Sequence, residues 1–303
     1  MRKIGIVTSS IERDWISREL LRASDDLALG VVVDPRRFGL SIDGLGEVTL
    51  GGNPAGECDA YIVRSLDRRG EVDHQYEVLE LLQMTGALVV NSPQALSIAE
   101  SKALTTFLLA RAGIPVPRTV VTQDPAEAGR IAADWGACVL KPLYGSFGDG
   151  IELVAPGCES AIVERYVRRR GAACVQEYVP NDGRDIRAFV VGSDVVAAVY
   201  RVATDGEWKT NVHRGAKCEE CALTPEMRRI CLESASIVGL DYTGVDIIEG
   251  PSGPIVIELN GSPSWHGLAE ATGRDVAADI VRHVLRMLDR GLSAGRPLMS
   301  PAA

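Results

Sequence analysis

The sequence predicts two architectures in one chain: an α/β unit with a parallel sheet in front, and an α+β half rich in antiparallel strand behind it. Three observations carry this. Up to about residue 95, short apolar runs alternate with helical patterns, as in successive βαβ units. Beyond Pro117, apolar runs follow one another through tight turns at Gly192-Ser193 and Pro251-Ser252-Gly253. A length of 303 residues with 46% hydrophobic composition suits about two domains, each with a substantial core.

In the front unit the strand runs are KIGIVTS (Lys3 to Ser9), LALGVVVD (Leu27 to Asp34), AYIVRS (Ala60 to Ser65) and ALVVNSP (Ala87 to Pro93). DWISRELLRAS and HQYEVLELLQMTG are the helices between them. One helix is expected from about Ser97 to Ala112, stopped by Gly113 and Pro115, after which IPVPRTVVT enters a new module in extended form. The following strands are RTVVT and CVLKPL, then a glycine-rich turn, a helix around Ser160 to Arg170, and strand ACVQEYV. GRDIRAFVVGSDVVAAVYRV reads as a hairpin, Pro225 to Val238 as a helix, GVDIIEG and PIVIELN as a second hairpin, and Val276 to Asp289 as a last helix. The expected divisions are 1–95, 96–183 and 184–290, with a fraying Gly/Ser/Pro tail over 291–303.

Charge and composition exclude several functions. A net charge of −9 and a pI near 5.1 repel nucleic acid unless a local basic patch dominates, so no nucleic-acid partner is expected. The apolar run at the start is too short for a signal peptide and no window approaches a membrane span, which predicts a cytoplasmic protein. Seven scattered cysteines suit reduced thiols. Cys218 and Cys221 form one C-x-x-C without a second pair of ligands, and a surface loop is the reading set against a metal role.

Four stretches carry candidate chemistry. In VLKPLYGSFGDGIELV, Lys141 leaves a strand ahead of Gly145, Gly148 and Gly150, so backbone N–H groups and an ammonium can meet phosphate oxygens. The pattern matches neither the Walker loop nor the dinucleotide fingerprint, and a hairpin turn explains the glycines equally well. In GVDIIEG and PIVIELN, period-two alternation puts Val256, Glu258 and Asn260 on one face, and pairing of the two strands brings Asp246 alongside. These hard oxygen donors suit magnesium, with a satisfied hydrogen-bond network as the alternative. VQEYVPNDGRDIRAF ends a strand at Glu177-Tyr178 and continues to Asp185 and Arg187, which can serve a nucleoside or merely close a strand. EWKTNVHRGAK gathers Lys209, Asn211, His213 and Arg214 in an acidic protein, either as an anion site or as a solvated loop.

In this order, LKPLYGSFGDGI, QEYV, GRDIRAFVVG, WKTNVHRGAK, GVDIIE and IELNGSPSWHGL together resemble the ATP-grasp superfamily, specifically the RimK-like α-L-glutamate ligases, over roughly Ser97 to Asp289. The resemblance implies an ATP-grasp fold behind a Rossmann-like α/β domain. It also implies that Lys102 and Lys141 hold ATP phosphates under a loop containing Gly145, Ser146, Gly148 and Gly150, and that Glu177 and Tyr178 meet adenine. Asp185, Lys209, Thr210 and Asn211 match further ATP contacts, and Asp246, Glu258 and Asn260 match the ligands of Mg2+, or of Mn2+ in its place. Arg187 and Arg214 match positions facing the acyl phosphate or an acceptor carboxylate.

The implied reaction is phosphorylation of a carboxylate by ATP, followed by attack of the amine of L-glutamate on the acyl phosphate. Such chemistry asks the protein chiefly for positioning, charge neutralisation and exclusion of water. The stretches SPSWHGL and EWKTN are closer to the branch that glutamylates tetrahydromethanopterin than to the branch that extends a ribosomal protein tail. A deazaflavin coenzyme and an amino-group carrier protein are the other acceptors the superfamily offers, and a homo-oligomer is the expected assembly. Outside this class stands a silent ATP-binding regulator, which would be expected to lack one of Lys141, Asp246, Glu258 or Asn260. A nicotinamide dehydrogenase is disfavoured because GIVTSSIERDW lacks the later fingerprint glycines.

Overall fold

The computed structural model describes residues 1–42, 47–50, 53–54, 56–143, 150–157, 159–203 and 216–291. The front unit runs β1 (Lys3–Val7), α1 (Trp15–Leu27), β2 (Leu29–Val33), β3 (Phe38–Ser41), β4 (Glu47–Leu50), β5 (Asn53–Pro54), β6 (Ala60–Val63), α2 (Val72–Met84) and β7 (Leu88–Val90). Its parallel sheet has the order β2-β1-β6-β7, as expected, while β3 to β5 add a small antiparallel sheet that the apolar runs did not announce. The chain leaves β1 toward one edge of the sheet and β6 toward the other, so β1 and β6 flank the point where the winding reverses.

The single helix expected over 97–112 is two: α3 (Pro93–Glu100) and α4 (Lys102–Arg111). Ser101 between them is extended, and its side chain accepts the N–H of Leu104, capping α4 so that Lys102 occupies its first position. An amphipathic pattern that runs through a serine cap conceals the break.

The middle sheet consists of β8 (Thr119–Thr122), β9 (Cys138–Lys141), β10 (Glu152–Val154) and β11 (Ala173–Glu177), antiparallel in the order β10-β9-β11-β8. Helices α5 (Pro125–Trp135) and α6 (Glu159–Arg170) cover one face, with Ala128, Tyr166 and Val167 on Cys138, Leu140, Ala173 and Val175. Helix α5 was not expected from the sequence, although Asp124 caps it and Pro125 opens it. Alternation leaves Lys141, Cys174 and Gln176 on the face that α5 and α6 do not cover.

The third sheet is β12 (Arg184–Val191), β13 (Asp194–Val202), β14 (Lys217–Glu220), β15 (Tyr242–Gly250) and β16 (Gly253–Asn260), in the order β14-β13-β12-β15-β16. Both expected hairpins are present, joined by Gly192-Ser193 and Pro251-Ser252. Cys218 lies within β14 and Cys221 is buried just after it, so the C-x-x-C is not a surface loop. No disulfide joins the described cysteines. Helix α7 (Pro225–Val238) packs on Ile186, Ala188, Val245 and Ile247. On the opposite face, Phe189 and Val199 meet Trp265 and α9 (Val276–Asp289), and this core continues into Ile4, Ile6 and α1 of the front unit; α8 (His266–Thr272) precedes α9. No described helix is long and apolar enough to cross a membrane.

Asn91, fully buried, fastens the parallel sheet to the third. Its Nδ2 donates to the carbonyls of Tyr242 (2.8 Å) and Gly261 (2.7 Å), and its Oδ1 accepts from the N–H groups of Asp241 (2.7 Å) and Tyr242 (3.1 Å). All four hydrogen-bonding positions of the amide are thereby filled. Asn91→Ala leaves four backbone groups unmatched and is expected to lower stability by about 3 kcal/mol. Tyr242→Phe, which removes the hydroxyl with its donation to the Val63 carbonyl and its contact with Ser262, is expected to cost less, about 1 kcal/mol. Equilibrium urea unfolding checks both magnitudes and their order.

Candidate active site

A small cleft opens between α4, the uncovered face of the middle sheet and β16, lined by Lys102, Thr105, Lys141, Cys174, Gln176 and Glu258 among others. Three residues expected from sequence, Lys102, Lys141 and Glu258, meet here. Lys141 ends β9 opposite Cys174, and its Nζ donates to Gln176 Oε1 at 2.6 Å. Gln176 in turn donates to Thr119 Oγ1 at 3.0 Å, which fixes its oxygen toward the lysine. Burial pushes the Lys141 ammonium below its ordinary range, and the carboxylate of Glu258 only partly opposes this. Lys102 Nζ lies 3.8 Å from Glu258 Oε1. Two ammonium groups therefore share one cleft with the Glu258 carboxylate, an arrangement that can receive a polyanion.

Beside the cleft, one face of the third sheet carries a row of charges. Register places Glu258 opposite Asp246 and Asp246 opposite Arg187, and on the neighbouring strand Arg201 opposite Asp185. Asp246, 6% exposed, is gripped by Arg187 through both guanidinium edges and by Arg201 Nη2 at 3.0 Å. Arg201 also binds Asp185 at 2.7 and 2.5 Å. Gly244 is required beside this row, because a Cβ there would lie 3.0 Å from the Arg187 side chain. Asn260 faces Gly244 across the strands and donates to its carbonyl at 3.3 Å.

One detail of the strand reading is corrected. Val256, expected on the face of Glu258 and Asn260, lies on the opposite, α7-facing side. A register shift inserts Ile257 as an extra residue, so that Val256 pairs with Ile247 and Glu258 with Asp246. The bulge turns Glu258 and Asn260 toward the charge row while Val256 and Leu259 stay in the core.

The remaining expected residues lie elsewhere. Glu177 ends β11 facing away from Gln176, and its carboxylate accepts both edges of Arg118 at 2.9 Å each. The N–H of Tyr178 donates to the Ala137 carbonyl. Gly150 has φ of +69°, a left-handed conformation that favours glycine, and a Cβ there would require the Arg170 guanidinium to move aside. Gly145, Ser146, Gly148, Lys209, Thr210, Asn211 and Arg214 lie outside the described residues. Sequence reasoning missed Gln176 and Arg201. Counting back from the Gly192-Ser193 hairpin would have placed Arg201 opposite Arg184; the register shift between Phe189 and Val190 brings it opposite Asp185.

Asp246, Glu258 and Asn260 present two carboxylates and an amide at neighbouring positions of one sheet face, a donor set of hard oxygens that fits Mg2+. No cluster of three His, Cys, Asp or Glu side chains among the described residues could hold a metal. A cation at these residues would complete its shell with oxygens from bound phosphate or water.

The chain matches the model of the RimK-like ATP-grasp domain over residues 99–284. It is 34% identical to a tetrahydromethanopterin:alpha-L-glutamate ligase of Methanosarcina acetivorans, over 95% of this chain and all of that one. It is 32% identical to a probable alpha-L-glutamate ligase of a Marinomonas species, over 93% of this chain and 95% of the relative. Among solved structures it resembles the ATP-grasp ligase PsnB complexed with a minimal precursor, with a TM-score of 0.76 and 24% identity over 94% of this chain and 99% of that one.

Burial pushes the Asp246 carboxyl up, but Arg187 and Arg201 outweigh it and hold the group below the usual carboxylate range. The stability that such a depressed carboxylate contributes is complete above its unfolded value, ~4, and is lost as pH falls through the folded value. Asp246→Asn removes this acid dependence. It also leaves two guanidinium groups without their carboxylate, so stability at neutral pH is expected to fall by about 3 to 5 kcal/mol. Urea midpoints followed from neutral to acid pH read both effects: a lower neutral plateau and a shallower acid limb.

Proposed function

We infer the function from one premise: the chain belongs to the RimK-like ATP-grasp family. It is an ATP-dependent, ADP-forming ligase that joins a carboxylate to an amine. We propose that the amine is that of L-glutamate and that the carboxylate belongs to tetrahydromethanopterin or a coenzyme of its kind. Support comes from the near full-length similarity to ligases named for that acceptor in Methanosarcina acetivorans.

The γ-phosphoryl group of ATP passes to the acceptor carboxylate, giving an acyl phosphate and ADP. The glutamate amine then attacks the acyl carbon, phosphate leaves with the C–O electron pair, and the amine loses a proton. Lys102 and Lys141 supply positive charge where the triphosphate lies, in the cleft they share with Gln176. Asp246, Glu258 and Asn260 would hold Mg2+, or Mn2+ in its place, and the cation would neutralise phosphate charge there. Arg187 leaves its carboxylate partner for the transferred phosphoryl or the acceptor, a role Arg214 shares. Glu177 and Tyr178 border the adenine, and Asp185, Lys209, Thr210 and Asn211 complete the nucleotide contacts. The loop carrying Gly145, Ser146, Gly148 and Gly150 closes over the phosphates and keeps water from the acyl phosphate. We place the enzyme in the cytoplasm as a homo-oligomer.

The observation that carries this reading is the meeting of Lys102, Lys141 and Glu258 in one cleft beside the Asp246 row. Its test is incubation with Mg-ATP, L-glutamate and tetrahydromethanopterin. Equimolar ADP and phosphate are expected, together with a pterin heavier by one glutamyl unit. A deazaflavin coenzyme, the amino-group carrier and a ribosomal protein tail, offered in turn, decide the acceptor if the pterin is inert. Glu258→Ala and Lys141→Met should each reduce ADP formation by at least ~100-fold. Because burying the Lys141 charge opposes folding, Lys141→Met should melt no lower than the parent protein. Turnover surviving in both variants would refute the site.

A further inference from the structure

The carboxyl ends of the parallel strands carry polar residues that the phosphate chemistry does not use. Ligands of open α/β sheets lie beyond the carboxyl ends of the strands, where the winding reverses. Here that point is between β1 and β6. The residues directly beyond these two strands are Thr8, Ser9, Arg64 and Ser65, polar without exception. Ser65 Oγ accepts the N–H of Ser9 at 3.2 Å and lies 3.3 Å from Thr8 Oγ1.

These residues adjoin the reacting centre directly. Arg64 Nη1 donates to the carbonyl and the hydroxyl of Ser262, at 3.2 and 2.9 Å, and Ser262 Oγ donates back to the Arg64 carbonyl at 2.5 Å. Ser262 is two residues beyond Asn260, the end of β16. A molecule bound at Arg64 is therefore within one small substrate's length of the Asp246, Glu258 and Asn260 row.

The charges at this sheet end are of both signs and loosely joined. Arg64 Nε lies 3.0 Å from Asp14 Oδ2 yet makes no hydrogen bond, and Nη2 reaches Asp14 Oδ1 only at 3.4 Å. The ion pair Arg118–Glu177, with two contacts of 2.9 Å, shows what a closed pair looks like in the same chain. Asp14 Oδ2 is occupied by the N–H and hydroxyl of Ser17, at 3.3 and 2.6 Å, leaving Oδ1 with the long contact alone. Both side chains keep some exposure, 16% for Arg64 and 23% for Asp14. A guanidinium and a carboxylate held side by side with spare hydrogen-bonding capacity complement a zwitterion.

We propose that this sheet end seats the incoming α-amino acid, its carboxylate on Arg64 and Ser65 and its ammonium on Asp14. The proposal rests on the ligase reading above and adds the site of its second substrate. The amino acid then approaches the acyl phosphate from the parallel sheet, while ATP approaches from the middle sheet.

The test uses the full chain and conservative variants. Asn caps a helix as well as Asp does, so Asp14→Asn should melt close to the parent. Arg64→Lys keeps the charge but gives up the paired contacts on Ser262, so it is expected to melt lower and its binding is read at a temperature where it is fully folded. L-glutamate is titrated calorimetrically into protein loaded with Mg and a non-hydrolysable ATP analogue, alongside glutarate, which lacks the amine. L-glutamate should bind the parent at least tenfold more tightly than glutarate. Arg64→Lys should weaken L-glutamate about tenfold, and Asp14→Asn should erase its advantage over glutarate. In turnover with tetrahydromethanopterin, KM for L-glutamate should rise in both variants while KM for ATP stays constant. Unchanged Kd and KM for L-glutamate in both variants overturns the seat, as does a rise confined to the KM of the acceptor. Failure of the ligase reading is separate: it would appear as no ADP formation by the parent with any carboxylate acceptor.

Discussion

Asp246 is a carboxylate removed from water in the middle of a sheet, and it is tolerable there only because Arg187 and Arg201 hold it from two sides. That requirement propagates outward. Arg187 needs the bare backbone of Gly244 beneath it, Arg201 needs Asp185 to balance its second edge, and the bulge at Ile257 brings Glu258 into the same row. Arg187 and Arg201 attract Asp246 and Asp185 across β12, β13 and β15, whereas the two acids Asp246 and Glu258 face each other across β15 and β16. Breaking one member leaves another buried and uncompensated, which ties the electrostatics of the site to the stability of its sheet.

The cleft next to it follows the opposite logic. Lys141 is buried with a neutral amide as its closest partner, and Lys102 sits at the first turn of a helix whose own dipole is positive there. Such cationic surplus is unfavourable in the empty protein and becomes favourable when a polyanion enters. The excess of positive charge in the cleft lies against an acidic chain, so the attraction for anions is local.

The two sites are held in register by the joint between the parallel sheet and the third sheet. Asn91 and Tyr242 lock the start of β15, and Arg64 with Ser262 locks the end of β16, the two strands that carry Asp246, Glu258 and Asn260. A continuous apolar core through Ile4, Ile6, Phe189, Trp265 and α9 stands behind these polar contacts. Position at the charge row is therefore set by burial over a wide area and fixed locally by hydrogen bonds whose geometry is narrow.

Local periodicity determined much of this protein. The four parallel strands, the two hairpins and helices α7 and α9 are legible because apolar residues recur with the period of the element they form, and the turns between them carry Gly, Pro or Ser. Lys141 and Glu258 were likewise legible as chemistry from their own strands, whereas Lys102 was reached only through the family resemblance. What tertiary structure alone decided was partnership. The break at Ser101, the bulge at Ile257, the turning of Glu177 onto Arg118 and the capture of Asp185 and Asp246 by Arg201 all depend on what packs opposite. Sequence spacing sets which way a side chain points along its own strand. Which charge it meets is set by which strands pair and in what register, across as many as 59 positions for Arg187 and Asp246, and no local pattern records that.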